Sequence, residues 1–498
     1  MTEPGVELLE AEGIDVLDSR QAGGRIVRGT FVRLWSYVGI VGLSVISASL
    51  LTRYLGLTRF GEYTTVMSLV SVVAVVTDAG MAALGTREFA VRRGADREAF
   101  MGDLLGLRML LTLAGVGLSL AFVLAAGYDL EFVLGTLLAS LATVLLVLQH
   151  TYSIPLSADL RISTVSLLDL GRQALTMVAL VSLVLGGAGV LPLLAVSLAV
   201  NAVFVVPPAM LVRGRISLRA RLRPSRWAEL LRLTILFSLA NAVGTIYVYA
   251  AQILTSLVAT PHQSGLFAAS FRVFIAIAGV PGLLVGGALP LLARAARDDR
   301  ERLSYALRRI FEVSLVLGVG AATAFLAAAH FVIAVIGGPK YAGAASVLQV
   351  QGLAMIASFA LSGWSYAVIS LKRYSGMLIA NAAALAVSCA LTLTLAAVDG
   401  AMGAAIATVC GEATLALGYL AVMLRADASL RPPFTVIWKA ALAGAPAIAI
   451  ALFVPLPSVP LTVIALLVYG VAILALRAVP AELLELARPL QQLARRWR

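Results

Sequence analysis

Residues 50–90 read LLTRYLGLTRFGEYTTVMSLVSVVAVVTDAGMAALGTREFA. The stretch holds the outer end of one apolar span, a short turn around Gly56 and Gly61, and a second span. That second span carries an acid, Asp78, just before Gly80, and stops at Arg87, Arg92 and Arg93. A looser copy begins at Ser264: SGLFAASFRVFIAIAGVPGLLVGGALPLLARAARDDR. Gly61-Glu62-Tyr63 is echoed by Gly265-Leu266-Phe267, and the basic run Arg87 to Arg97 by Arg294 to Arg302. Self-similarity at one offset marks a chain built from two related halves.

Composition agrees with a chain of spans. The 498 residues are 60% hydrophobic and only 13% charged, against about 25% charged in soluble domains. Apolar runs of about 20 residues recur from end to end, the length that crosses ~30 Å of hydrocarbon as a helix. The class is therefore an all-α polytopic membrane protein; a β-barrel would alternate over ~10-residue segments. The net charge of +12 does not point to nucleic acid, because the Arg residues lie in short loops where topology places them. Cys389 and Cys410 sit in separate apolar spans and read as free buried thiols. The first residues are acidic (Glu3, Glu7, Glu10, Glu12, Asp15, Asp18), the wrong start for a cleavable signal.

Run lengths predict about fourteen spans. With the N-terminus inside, alternate loops hold Arg87/Arg92/Arg93/Arg97, Arg161, the run Arg213 to Arg226, Arg294 to Arg309, Lys372/Arg373 and Arg425/Arg431/Lys439. The outer turns hold only Arg53, Arg59 and Lys340. This roughly tenfold asymmetry predicts a multi-pass cell-membrane protein with both termini cytoplasmic. The chain divides into a cytoplasmic tail (1–29), a six-helix bundle (30–212), a basic linker (213–229), a second six-helix bundle (230–424), two additional spans (425–477) and a basic tail (478–498). Six is even, so the bundles enter the membrane alike, related by a pseudo-two-fold axis along its normal, with a cavity expected between them. No loop fits a nucleotide-binding domain and no G-x-x-x-x-G-K-[ST] occurs, so direct use of ATP, or of another cofactor, is not expected.

An ionisable side chain inside a span costs ~2.5–3.5 kcal/mol on insertion scales, so each needs a reason. Arg272 lies about 12 Å inside the eighth span at helical rise. It reads as a cation for an anionic head group or as the partner of an intramembrane acid, Glu412 or Asp78. Those two acids are in turn candidates for ion coupling, to H⁺ or Na⁺, or for structural pairing. Arg53 and Arg59 flank the first outer turn against the positive-inside rule, as substrate contacts or snorkelling side chains. Arg108, Arg172 and Arg232 lie within about two turns of inner ends and read as snorkelling anchors. His150, His262 and His330 lack metal-ligand spacing. Gln149, Gln173, Asn201, Asn241, Gln252, Gln349, Gln351 and Asn381 suit sugar hydroxyls or, more simply, interhelical hydrogen bonds. Pro281 and Pro290 among Gly279, Gly282, Gly286 and Gly287 make the eighth span prone to kink.

These residues carry a resemblance. Leu55-Gly56, Gly61/Tyr63, Asp78/Gly80 and Gly265/Phe267/Arg272 resemble the pattern of the polysaccharide-transport (Wzx-like) flippases of the multidrug/oligosaccharidyl-lipid/polysaccharide (MOP) exporter superfamily. The resemblance implies flipping of a lipid-linked oligosaccharide, with glycan polymerases or glycosyltransferases as partners and no catalysis by the chain itself. The superfamily's lipid II flippases carry extra charges in the first span. Here it reads LWSYVGIVGLSVISASLL, which disfavours that substrate. The rivals are a drug or metabolite antiporter of the same superfamily, which would favour an acidic cavity, and a membrane glycan polymerase or glycosyltransferase, which would need a sizeable loop. The topology has a direct check: a cysteine at Gly127 or Gly400 is expected to label from outside and one at Arg219 is not, and outside labelling at Arg219 would overturn the map.

Overall fold

A computed structural model describes residues 20–78, 81–159, 161–214, 220–221, 223–286, 292 and 299–478. The expectations for the acidic tail, the middle of the basic linker, Gly80, Pro290, Arg294, Arg297 and the C-terminal tail fall outside these residues, as does the side chain of Arg232. The helices in order are α1 (Arg20–Asp78), α2 (Met81–Val91), α3 (Gly94–Ala125), α4 (Leu130–Tyr152), α5 (Ile154–Ala158), α6 (Ile162–Leu185), α7 (Val190–Phe204) and α8 (Val206–Val212). They continue with α9 (Pro224–Val258), α10 (Pro261–Ala278), α11 (Val280–Gly286), α12 (Arg300–Ile336), α13 (Ala344–Ser370), α14 (Tyr374–Ala426), α15 (Phe434–Phe453) and α16 (Ser458–Ala475). No strand occurs among the described residues.

Twelve helices among the described residues are long and apolar enough to cross a membrane. Two of them are double. The apolar part of α1 runs 44 residues and α14 runs 53, and ~20 residues suffice for one crossing. Each bends at one glycine with positive φ, Gly56 (φ 71) in α1 and Gly400 (φ 55) in α14, a conformation that costs a residue with a Cβ. Counting each bent helix as two crossings recovers the fourteen spans. Gly127 also has positive φ. Labelling cysteines are therefore better placed at the exposed neighbours Ala126 and Asp399, which leave both turns intact. The eighth span breaks between α10 and α11 at Gly279, just before Pro281, whose missing N–H cannot continue the ladder.

The described residues of Met1–Ala48 and Gly80–Leu233 form one compact unit, and those of Ser49–Ala79 and Thr234–Arg498 another. In the first, α4 packs on α3 and α7, and α6 on α7. Its core gathers Phe89, Phe100, Met101, Leu104, Ile154 and Trp227. The basic linker is tied to α3: Arg221 N donates to Gly102 O (2.9 Å) and Trp227 Nε1 to Asp103 O (2.9 Å). In the second unit α12, α13 and α14 pack in sequence, and α15 and α16 lie on α12. Phe311 stacks on Trp364 (5.2 Å between ring centres), and Tyr469 donates to Val316 O (2.7 Å), fixing α16. Between α14 and α15, Ser429 donates its hydroxyl and its N–H to Asp427, which holds that carboxyl below the usual carboxylate range.

The later part of α1 belongs to this second unit and meets α10 through glycine. A Cβ on Gly265 would lie 2.1 Å from Leu57 O, and one on Gly61 would lie 3.1 Å from Gly265 N. The two echoing glycine motifs of the sequence therefore touch each other, backbone to backbone. Close approach of this kind gives membrane helices dispersion contacts where no hydrophobic driving force acts between them. Gly265→Ala is expected to destabilise the protein by about 1–3 kcal/mol through overpacking. Gly470→Ala, where nothing lies within 4 Å of the added methyl, is expected to be neutral or stabilising. Thermal unfolding of both variants in one detergent checks this, and equal midpoints would refute the contact.

Candidate functional site

Two features of the second unit carry chemistry. The first is Arg272, in the fourth turn of α10. It is half-buried and makes no hydrogen bond or ion pair to another described residue. Its charge acts on the buried Tyr63 of α1. Arg272 makes no ion pair with Glu412, whose carboxylate oxygens accept from Tyr247 and Ser358. Asp78 closes α1 and is half-buried.

The second feature is a cavity of about 290 Å³ between α9, α10, α13 and α14. Phe271 and Phe274, stacked 6.0 Å apart on α10, form an apolar wall with Leu361 and Leu415. Glu412, 8% exposed, lines the same cavity. Tyr247 donates to its Oε1 (2.9 Å), and Ser358 donates a short hydrogen bond to its Oε2. Gly411 makes room for the Tyr247 ring, 3.0 Å from where a Cβ would sit. Both carboxylate oxygens are oriented, and neither bonds a cationic side chain among the described residues. Drug-sized pockets run ~300–1,000 Å³, so this cavity suits an ion with its waters or a small organic cation and is too small for a glycan. Among the described residues no three His, Cys, Asp or Glu gather as a metal site, and both cysteines are free.

Arg53 and Arg59 flank the bend at Gly56 and are exposed. Arg53 is engaged: Nη2 donates to Val335 O (2.5 Å) and Ala334 O (3.4 Å), and Ser49 donates to Val335 O and Ile336 O. These are the last carbonyls of α12, where a cation also meets the negative end of the helix dipole. Tyr341 adds a bond to Thr52 O (3.1 Å). The local pattern Ser-x-x-x-Arg on α1 is legible as one helix face, but its target is not.

The sequence reading misplaced Arg108. A snorkelling side chain keeps its head in water, whereas Arg108 is 0% exposed in the middle of the first unit. Arg172 is half-buried with its Nε buried and unbonded. The span amides mostly join helices: Asn201 to Ala142 O, Gln349 to Leu326 O, Asn381 to Ala240 O, and Gln252 to Thr65 and Ser264. Asn241 instead donates within its own helix, to Phe237 O.

With this geometry in view, residues 50–346 match the family described as polysaccharide biosynthesis protein. No curated protein matches the chain. Among solved structures the fold is similar to the lipid II flippase MurJ in an inward closed conformation, with a TM-score of 0.74 at 14% identity over 93% of this chain and 99% of that one. It is similar to an inward-facing MATE-family multidrug resistance transporter of the MOP superfamily (TM-score 0.59, 14% identity, 80% of this chain, 98% of that one). It is also similar to a MOP superfamily transporter from Pyrococcus furiosus described as having a binding pocket of reverse polarity (TM-score 0.52, 16% identity, 82% and 96%). At these identities the likeness shows a fold and leaves the substrate to the residues.

The position of Arg53 yields a prediction of its own. Arg53→Ala removes an exposed, charge-assisted cap and is expected to cost about 0.5–1 kcal/mol. Arg53→Lys, which can still reach a carbonyl, is expected to cost less. Thermal unfolding in detergent measures both, and an Arg53→Ala protein as stable as the parent would remove the capping role.

Proposed function

Because the chain belongs to the polysaccharide biosynthesis protein family and has the fold of MOP superfamily transporters, we propose that it moves a lipid-linked oligosaccharide from the inner to the outer leaflet. The carrier would be a polyprenyl phosphate or pyrophosphate, and the mechanism alternating access. In this reading the chain lies in the cell membrane with both termini cytoplasmic and serves cell-surface polysaccharide biosynthesis beside polymerases or glycosyltransferases.

The observation that carries the reading is the uncommitted guanidinium of Arg272. A cation inside a span, unpaired with any described residue, is costly unless it meets an anion during the cycle. A guanidinium holds a phosphate by two parallel hydrogen bonds, which an ammonium cannot do. The glycan's hydroxyls need polar side chains, and the lipid tail stays in the bilayer. Arg59 and Arg53, at the Gly56 bend, are the further candidates to meet the head group, Arg53 only on release from its cap on α12. Glu412 is the coupling candidate. Its carboxylate meets no described cationic side chain, and a proton or Na⁺ entering the cavity would neutralise it, with Ser358 and Tyr247 adjusting their hydrogen bonds. Asp78 is the weaker candidate for that role.

The same cavity favours a second reading, a MATE-like antiporter of a small organic cation, because one carboxylate and two phenylalanines line it together. Transport in reconstituted vesicles separates the two. Arg272→Ala is expected to abolish flipping of a lipid-linked glycan in a protein that still inserts and melts normally, and Arg272→Lys to leave a small residue of activity. Glu412→Gln is expected to leave flipping without its response to an imposed ion gradient. Normal flipping by a stable Arg272→Ala protein would sink the glycan reading, and uptake of an organic cation lost in Glu412→Gln would establish the antiporter.

A further inference from the structure

Polar groups are distributed unevenly along the helices that line the Glu412 cavity. Several helix ends meet at one end of the second unit. Gln263 of α10 accepts from Ala401 N beside the Gly400 bend (3.1 Å), and a Cβ on Gly343, just before α13, would lie 3.3 Å from Leu266 of α10. Only two residues separate α9 from α10. On this bend side of the cavity three buried side chains leave atoms unbonded. Gln351 on α13 is 0% exposed, and neither its Nε2 nor its Oε1 has a hydrogen-bond partner. Thr392 on α14 is as deeply buried with its Oγ1 unbonded, although Thr394, Thr408 and Thr414 of the same helix each donate to the preceding turn. Gln252 on α9 donates to Thr65 (3.3 Å) and Ser264 (3.4 Å) and leaves its Oε1 unbonded. Among the described residues of the second unit the one other buried, unbonded side-chain atom is the hydroxyl of Ser370, in the last turn of α13.

Each of the three lies within two turns of a residue that lines the cavity. Gln351 is seven residues before Ser358, so helical periodicity puts both on one face of α13. Thr392 is four residues after Ser388 on α14, and Gln252 follows Ala251. At helical rise this layer stands roughly 9–12 Å from the bend end, and Ser358, Ser388 and Glu412 roughly 18–21 Å from it. Beyond the cavity the same helices carry polar groups that are bonded. Asn381, seven residues before Ser388, donates to Ala240 O (2.7 Å) and accepts from Tyr419 (3.1 Å). Ser362, four residues after Ser358, bonds Ser314 and Phe359 O, and Tyr366 donates to Gly282 O. A buried amide bonded at neither atom is costly, and ordered water is what ordinarily meets such groups. The asymmetry gives water a side of entry, since the open polar atoms lie between the cavity and the bend end. Glu412 and Tyr247 are the ionisable side chains that line the cavity, and His262 and Asp399 stand exposed at the bend end.

We propose that Gln351, Thr392 and Gln252 line a hydrated path that joins the Glu412 cavity to the bend end of the second unit, the outer side in the proposed topology. The path takes water and a monovalent cation, either a proton passed along water and hydroxyls or Na⁺. Amides and hydroxyls suit that cargo. They offer a cation acceptor lone pairs, and having no charge of their own they release it to the Glu412 carboxylate. Use of the path in coupling rests on the transport reading, whereas access of water to Glu412 does not.

The test is the reactivity of a thiol placed in the cavity, in the full-length protein in membrane vesicles of known side. Ser388→Cys is combined with Cys389→Ala and Cys410→Ala, so that it carries the single thiol. Ag⁺, a small monovalent cation that reacts with thiols, is added in chloride-free buffer to right-side-out or inside-out vesicles. Thiols left free are then counted with a maleimide after solubilisation. Reaction is expected to be faster in right-side-out vesicles. Adding Gln351→Leu is expected to slow it about tenfold, the effect of a modest added barrier. The same change is expected to leave the melting temperature in detergent unchanged or raised, because it replaces an unbonded amide by an apolar side chain. A glutamine with a merely structural role would not give that pair of effects. Thr392→Val, close to the same shape, keeps the test open if Gln351→Leu fails to fold. Slowing by Na⁺ and not by choline supports a path for Na⁺, and equal rates in the two salts support a path for the proton. Equal rates from the two sides, reaction from the inside alone, no reaction from either side, or an unchanged rate in the folded variants overturns the path. An intact path in a protein whose flipping ignores an imposed ion gradient would instead count against the coupling reading alone.

Discussion

Hydrocarbon offers no hydrogen bonds, so every polar group in a span must find its partner inside the protein. Most of this chain obeys that constraint in a simple way. Hydroxyls fold back on their own helix, as Thr64 does to Phe60 O and Thr136 to Phe132 O. Amides and phenols reach across to a neighbouring backbone, as Asn381 does to Ala240 O and Tyr469 to Val316 O. Each such bond fixes one helix against another at the cost of one polar atom. Against this background two groups stand out: Arg272, which makes no hydrogen bond to another described residue, and Glu412, whose carboxylate accepts from hydroxyls and meets no described cationic side chain.

Close helix packing supplies the rest of the cohesion. A Cβ on Gly352 would lie 2.6 Å from Phe325 Cβ, and one on Gly318 would lie 2.8 Å from Phe359 Cβ, so α12 and α13 meet through missing side chains. Gly61 and Gly265 do the same for α1 and α10. Dispersion over such contacts stabilises helices that have no water to escape from. It also explains why a repeat in sequence is a contact in space, since each copy contributes the glycine the other needs.

Glycine serves a second purpose where helices turn. Gly56 and Gly400 adopt positive φ inside what would otherwise be unbroken helices. At Gly400 the amide of Gln263 fills the space a side chain would occupy, and its Oε1 accepts Ala401 N (3.1 Å). Arg53 and Tyr341 brace the Gly56 bend against the end of α12. The bends are therefore held by specific bonds within the protein.

The fold class and the approximate number of crossings were legible in residue order alone, because an apolar run of helical length has one outcome in a bilayer. So were the break near Pro281 and the free thiols; Arg272 and Glu412 were singled out because a charge in such a run needs a reason. What residue order could not decide was which polar groups meet. Whether Arg272 faces Glu412 depends on the rotation of α10 and α14 about their axes, set by contacts far apart in sequence. Depth along a helix made Arg108 look like an interfacial anchor, but burial depends on which face the neighbouring helices cover. Helical periodicity places a residue on a face, and only tertiary packing gives that face its partner.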